Sequence, residues 1–272
     1  MMNELLAKTL AQLKSVGIKP NTRRGQHFVV NREVLETLVD GSKISTHDVI
    51  LEIGGGLGTL SEYILARNPR RMMVIERDSR LARFLTHKFS NESNVQIICG
   101  DYLNIQPIRY DKCISNPPFN ISSKIFFKLA RERPVLAALT YQEEFADRLL
   151  AEAGTRDYGR LSVIARLQFH VEKLRTFDSL SFYPPPKTAI SAIMIRPADR
   201  KHEDLIMKRL EGLTRELFKY RRKKLGKALR FAGLEPVLAS SALAQRLKER
   251  RVFEIEPEEL IELSKQLALE EE

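Results

Sequence analysis

The sequence predicts an α/β chain, a mostly parallel sheet with helices on both faces, followed by a small all-helical C-terminal domain. Three observations carry that prediction. Short apolar runs alternate with helix-period segments from Val49 to Phe145; those runs are apolar throughout rather than at every second residue; and strand signals nearly vanish beyond Lys201. Strands covered on both faces read as continuous apolar stretches, and strand–helix alternation is the mark of parallel crossover connections.

The elements follow in order. The opening segment MMNELLAKTLAQLKSVG is amphipathic with polar breaks, which suits a short docking helix; it lacks the apolar core of a secretory leader. VILEI (49–53) reads as the first buried strand, followed by a glycine-rich turn and a helix from about Leu57 to Arg67. RMMVIE (71–76) is the second strand, and Asp78 or Ser79 opens the next helix by accepting from its free first-turn amides. VQIIC (95–99), KCIS (112–115) and a stretch near VLAALTY (135–141) give three more strands, and AISAIMIRP (189–197) is the last apolar run. The change of texture near 197–203 divides the chain into a catalytic domain, 1–198, and a helical recognition domain, 199–272. No internal repeat is visible.

Composition narrows the class. A 43% hydrophobic, 29% charged chain of 272 residues is ordinary for a globular protein, and no apolar run is long enough to span a bilayer, so no membrane partner is expected. Cys99 and Cys113 each lie in an apolar run, which predicts two buried thiols and suits a reducing, cytoplasmic setting. The five histidines have no ligand spacing, so no metal is expected. The net charge of +10 suits a polyanion. Lys219, Arg221, Arg222, Lys223, Lys224, Lys227 and Arg230 fall between Phe218 and Arg230 with no acid among them, and predict either a phosphate-binding helix or a solvated helix face. Glu270, Glu271 and Glu272 read as a solvated tail.

The first strand ends in Glu52-Ile53-Gly54-Gly55-Gly56-Leu57-Gly58. Glycines at 54, 56 and 58 let the backbone turn sharply and approach a ligand. A dinucleotide loop wants its third glycine at 59, where this chain has Thr. The G-x-G-x-G spacing after an acid resembles motif I of class I methyltransferases, Rossmann-like domains whose ligand carries no pyrophosphate. Glu76, at the end of the second strand, is placed to accept from ribose hydroxyls. Asp101, after the third strand, is placed to accept from an adenine amine, with Tyr102 lining that base. S-adenosyl-L-methionine is the ligand these strand ends fit best.

The fourth strand ends in Asn116-Pro117-Pro118-Phe119. Asn116 and the Pro117 carbonyl offer acceptors, and Phe119 a stacking face for a base. An aromatic amine is a poor nucleophile because its lone pair is delocalised. Two acceptors on its hydrogens favour a pyramidal nitrogen with that pair turned toward the methyl donor. Asn116→Ala is expected to abolish transfer and spare cofactor binding.

The chain resembles the KsgA-type rRNA adenine dimethyltransferases over essentially its full length. The likeness rests on Arg24-Gly25-Gln26-His27-Phe28-Val29, the E-I-G-G-G-L-G loop, Glu76, Gly100-Asp101 and N-P-P-F-N-I-S-S at 116–123. It continues through Phe182-Tyr183-Pro184-Pro185-Pro186-Lys187 and Arg221-Arg222-Lys223. It implies that the G-Q-H-F segment covers the cofactor, with His27 and Val29 in contact and Gly54, Glu76, Asp101 and Asn116 at other cofactor positions. It implies that Phe182 sandwiches the base opposite Phe119. It implies two methyls on each of two adjacent adenosines of small-subunit rRNA, in a partly assembled subunit. The sequence leaves the oligomeric state open, with monomer as the default. Two residues depart from the pattern: Gly55 stands where the family usually has Pro, a tolerable change, and Pro117 where it usually has an aliphatic residue. N-P-P-F is more typical of DNA adenine and release-factor glutamine methyltransferases, so DNA, large-subunit rRNA, protein amides and a non-catalytic assembly role remain the alternatives.

Overall fold

The computed structural model describes residues 4–199 and 202–266; the acidic tail expected at Glu270–Glu272 lies outside them. The described chain falls into two compact units. The first runs to Ala146 and resumes over Glu172–Pro197; the second comprises Asp147–Val171 and the chain from Ala198 onward. The second unit thus takes in 147–171, which lies before the division expected from the sequence at 198/199. That segment contains a helix, Arg160–Gln168, buried nearly all round, whose apolar pattern carries no sign of which unit receives it.

In the first unit, α1 (Glu4–Val16) precedes a two-residue strand β1 (Phe28–Val29) and α2 (Arg32–Ser42). Asn31 caps α2 by accepting from Glu33 N at 3.0 Å, and Val34, Leu35, Leu38 and Val39 form its buried face. Burying four such side chains is worth about 1.5–3 kcal/mol each, which anchors the helix on the sheet. There follow β2 (Val49–Ile53), α3 (Thr59–Leu65), β3 (Arg71–Glu76), α4 (Ser79–Lys88), β4 (Val95–Cys99), β5 (Lys112–Ser115), α5 (Ser122–Glu132) and β6 (Leu136–Gln142). The chain leaves this unit within α6 (Glu143–Leu150) and re-enters through β7 (Phe169–Phe177), β8 (Phe182–Tyr183) and β9 (Ile190–Pro197). Asp78 caps α4 as expected, accepting from Arg80 N at 2.9 Å. The helix expected from Leu57 to Arg67 is shorter, because Gly58 turns into the left-handed region at φ 74° and α3 starts only after it.

The main sheet has the order β4-β3-β2-β5-β6-β9-β7. Pairings among β2 to β6 are parallel, and β9 runs antiparallel to β6. The chain winds outward from β2 through β3 to β4, then returns to β5 on the other side of β2. That reversal opens a crevice beyond the carboxyl ends of β2 and β5, where such sheets place their ligands. A second, two-stranded sheet joins β1 to β8 antiparallel, with Phe28 opposite Tyr183 and Val29 opposite Phe182. Cys113 is buried as expected; Cys99 is exposed, because β4 is the outermost strand and its last residue lies at the rim.

The second unit is helical: α7 (Arg160–Gln168), α8 (Asp204–Leu217), α9 (Leu225–Phe231), α10 (Glu235–Ser240), α11 (Ala242–Leu247) and α12 (Pro257–Gln266). Its core joins Met207, Leu210, Leu213 and Leu217 of α8 to Leu260, Ile261 and Leu263 of α12. Tyr158 sits within it, donating to the Ile255 carbonyl at 2.8 Å.

Candidate active site

The crevice of the first unit is lined by the β2 loop, the β3 and β4 ends, the β5 loop and the segment before β1. Gly54, Gly56 and Gly58 all have positive φ. The Glu76 carboxylate locks this loop: Oε2 accepts from Gly56 N at 2.9 Å and Oε1 from Asp78 N at 2.8 Å. Burial pushes its pKa up, against those amide hydrogen bonds. The Gly56 amide that a pyrophosphate would need is thus already given to a carboxylate, so a dinucleotide phosphate is disfavoured there and a ribose hydroxyl or a cation is not. Gly55 differs from its neighbours. A Cβ there would lie 2.3 Å from Val74 Cγ1 and 2.9 Å from Leu85 Cδ1. The loop has closed onto Val74 in a way that only glycine permits, so the exchange of Gly for Pro expected to be tolerable is coupled to the residue beneath it.

Beneath the loop, Glu52 is 2% exposed and accepts from Ser61 Oγ at 2.5 Å. Burial pushes its pKa up to about 8, assisted by the nearby Glu76 charge and opposed by the Ser61 hydrogen bond and Lys88. Lys88 donates to the Leu57 carbonyl at 2.8 Å and pairs with Glu62 at 2.9 Å, fastening the far side of the loop.

Asp101 lines the crevice, but its carboxylate is partly committed: Oδ1 accepts from Leu103 N at 3.0 Å and Oδ2 lies 3.5 Å from Arg77. Tyr102 is fixed behind it by a hydrogen bond to Glu132 at 2.6 Å.

Asn116 reaches the crevice from the end of β5 with both amide atoms held. Nδ2 donates to the His27 carbonyl at 2.7 Å, and Oδ1 accepts from Thr140 Oγ1 at 2.5 Å. A carbonyl can only accept, so the orientation is fixed: nitrogen toward His27, oxygen toward Thr140, with one lone pair of Oδ1 left over. His27 is held in turn by Nδ1 donating to the Pro184 carbonyl at 2.6 Å. Gly25 makes this approach possible, since a Cβ on it would come within 2.7 Å of Phe119 N and Asn120 N. Asn116→Ala is therefore not the clean test the sequence suggested, because it also releases the wall residue His27.

His27, Val29, Gly54, Gly56, Glu76, Asp101 and Asn116 are brought together at one crevice, and Pro118 and Asn120 join them. Gly58 lies just behind, against Leu85 and Phe89. Pro117 is buried, and no donor among the described residues reaches its carbonyl. The aromatic expectations need correction. Phe119 is 7% exposed and one face already stacks on His27, with centroids 5.4 Å apart and planes 19° apart. Phe182 is 1% exposed and meets Phe119 edge to face at 6.2 Å, which leaves no slot between them for a base. The apolar surroundings of both rings outweigh their position near the site: they belong to the core that seats β1 on β8.

The basic stretch of the second unit is not one helix. It is a 3-10 turn (Phe218–Tyr220), an irregular segment and then α9. Arg221 is turned inward, donating to the carbonyls of Arg156 at 2.7 Å and Tyr158 at 2.9 Å, beside the Phe253 ring. It is a clamp rather than a phosphate ligand. Lys224 pairs with Glu249 at 2.6 Å, whereas Arg222 and Lys223 are exposed.

Thr140, which holds Asn116, is the contact that the sequence reading missed. Its only signal is a hydroxyl directly after the apolar run Leu136–Leu139. Among the described residues no group of three or more His, Cys, Asp or Glu is placed to hold a metal, and no helix is long and apolar enough to cross a membrane.

The strand order, with one antiparallel strand beside β6 and the ligand crevice at the β2/β5 reversal, is the fold of class I methyltransferases. Within that class the chain belongs to the ribosomal RNA adenine dimethylase family, whose sequence model matches residues 17–268. A probable ribosomal RNA small subunit methyltransferase A from Methanopyrus kandleri is 35% identical over 255 residues, covering 93% of this chain and 89% of that one. Another of the same description, from Pyrococcus abyssi, is 34% identical over 261 residues, covering 94% of each. The crystal structure of a dimethyladenosine transferase from Plasmodium falciparum superposes with a TM-score of 0.76 at 24% identity, over 90% of this chain and 98% of that one. A 23S rRNA methyltransferase, ErmE, superposes at 0.64 with 23% identity, over 89% and 99%. Both likenesses are evidence of the fold.

Proposed function

We propose that this methyltransferase transfers methyl groups from S-adenosyl-L-methionine to the exocyclic amine of two adjacent adenosines in small-subunit rRNA, twice at each. It acts in the cytoplasm, as a monomer, on a partly assembled subunit. The observation that carries the reading is the fixed Asn116 amide at the mouth of a crevice whose loop amide is already held by Glu76.

When bound, the cofactor supplies an electrophilic methyl on a sulfonium that leaves as a neutral thioether. Gly54 and Gly56 give it backbone approach, Glu76 and Asp101 keep acceptor capacity for its ribose and adenine, and His27 and Val29 wall it in. The remaining lone pair of Asn116 Oδ1 and the Pro117 carbonyl accept from the hydrogens of the target amine, two at the first transfer and one at the second, and the proton lost from the methylated nitrogen each time passes to solvent. Thr140 and the His27 carbonyl prevent the amide from turning, so the acceptor is in place before substrate arrives. Because the leaving group departs neutral, no protein nucleophile is required. Arg222, Lys223 and neighbouring cations meet RNA phosphates.

The test is methyl transfer from labelled S-adenosylmethionine to unmethylated small ribosomal subunits, with nucleoside analysis. Dimethyladenosine in the small-subunit rRNA is the expected product. Transfer instead to DNA, large-subunit rRNA or a release factor refutes the substrate, and cofactor binding with no transfer anywhere refutes the enzymatic reading.

A further inference from the structure

A second cleft lies at the opposite end of the sheet, at the amino ends of β2, β3 and β4. Val49, Arg70, Arg71, Asn94, Gln96 and Arg109 line it. The parallel registers set Val49 opposite Arg71 and Val95 opposite Met72, which gathers the amino ends of the three strands at this cleft. Its charge is unbalanced. Some exposed arginines of this unit meet carboxylates, as Arg67 meets Asp40 at 2.7 Å and Arg80 meets Asp78 at 2.8 Å. In the cleft, Arg71 reaches only the neutral amide oxygen of Gln96, at 2.7 Å. Among the described residues Arg70 and Arg109 have no carboxylate partner. Two acids close in sequence are committed elsewhere, Asp48 accepting from Lys112 at 2.7 Å and Asp111 from Val49 N at 2.7 Å, while Glu92, beside Ser93, is exposed and is not in the lining. Three guanidinium groups thus face one concavity that has no carboxylate in its lining. Guanidinium forks match phosphate oxygens in pairs and are weakly hydrated, so a run of phosphates would relieve their mutual repulsion.

We propose that this cleft binds backbone phosphates of the RNA, a contact separate from both the reacting site and the basic stretch of the second unit. The proposal rests on the RNA substrate class given above. Along β3 the distance from Arg71 to Glu76 is roughly 17 Å at about 3.3 Å per residue. The cleft is therefore beyond the target nucleoside and holds flanking backbone, which positions RNA without reading its sequence.

The test uses the full chain and a short RNA duplex that contains no methylation site. Affinity is measured against salt for the wild type, for R70Q/R71Q/R109Q and for R70K/R71K/R109K, with cofactor affinity as the check on folding. Each phosphate contact adds about 0.9 to the slope of log K against log salt, so the glutamine variant should bind more weakly with a slope shallower by about 2 to 3. The lysine variant should keep the wild-type slope, and cofactor affinity should not move. An unchanged slope in the glutamine variant overturns the proposal, as does a slope lost equally with lysine or a wild-type chain that does not bind the duplex. A chain that binds through the cleft yet methylates no small subunit supports the cleft and refutes the proposed function, which separates the two.

Discussion

Replacing Glu52 with glutamine should make the protein more stable at pH 8 than the wild type, and much less so at pH 5. Glu52 lies under the glycine loop with Ser61 as its donor, and burial raises its pKa from the ordinary carboxylate range to about 8. In the unfolded chain it releases its proton near pH 4.5, so between roughly pH 4.5 and 8 the folded state binds more protons than the unfolded one. Stability from this group is therefore full below the unfolded pKa and is lost as pH rises toward the folded one. The slope is roughly 1.4 kcal/mol per pH unit inside that window and flat beyond it, on the order of 5 kcal/mol in total. Glutamine does not titrate and still accepts from Ser61, so the advantage of Glu52→Gln should widen across the window and level off above about pH 8. Urea unfolding of both proteins without cofactor, at a series of pH values, measures the gap directly. A gap that stays constant with pH, or widens toward acid, would mean that Glu52 is ionised in the fold and the argument from burial is wrong.

Three further outcomes follow from the geometry. Gly55→Ala should cost about 1–3 kcal/mol by driving a methyl into Val74, and Val74→Ala in the same chain should recover part of that; strictly additive losses in a double-mutant cycle would refute the contact. Thr140→Val should lower kcat about tenfold with cofactor affinity unchanged, because a hydrogen bond worth about 1–1.5 kcal/mol no longer orients Asn116, while Thr140→Ser keeps the rate; equal loss in both would make the effect one of packing. Arg221→Ala should destabilise the second unit by about 1.5–3 kcal/mol, seen in thermal unfolding, whereas charge reversal at Arg222 and Lys223 should weaken RNA binding and leave stability alone; the opposite pattern would return Arg221 to the RNA surface.

Much of the fold is legible along the chain. Four strands, 49–53, 71–76, 95–99 and 112–115, lie where their apolar runs predict; in 49–53, 71–76 and 112–115 the reason is burial on both faces, whereas 95–99 is an outer strand with no fully buried residue. The same logic fails for β1 and β8, two residues each, because a pair so short has no period to detect and exists only through its partner. It fails for 147–171 for a related reason: burial says that a segment packs, and nothing about which unit it packs into.

The site divides the same way. Sequence by itself determined the placement that depends on each residue's own backbone position: the glycines of the β2 loop, the acids at successive strand ends and the asparagine after β5 lie at one sheet edge. A parallel sheet brings consecutive strand ends to one edge whatever else the chain does. Tertiary structure alone decided how those residues are occupied. Thr140 and the His27 carbonyl set the Asn116 amide, Phe119 and Phe182 turned from base-stacking faces into core, and Arg221 exchanged phosphate for backbone carbonyls. A hydrogen-bonding or aromatic group is free for a ligand only if no protein atom reaches it first, and which atoms do so is fixed by neighbours that are distant in sequence.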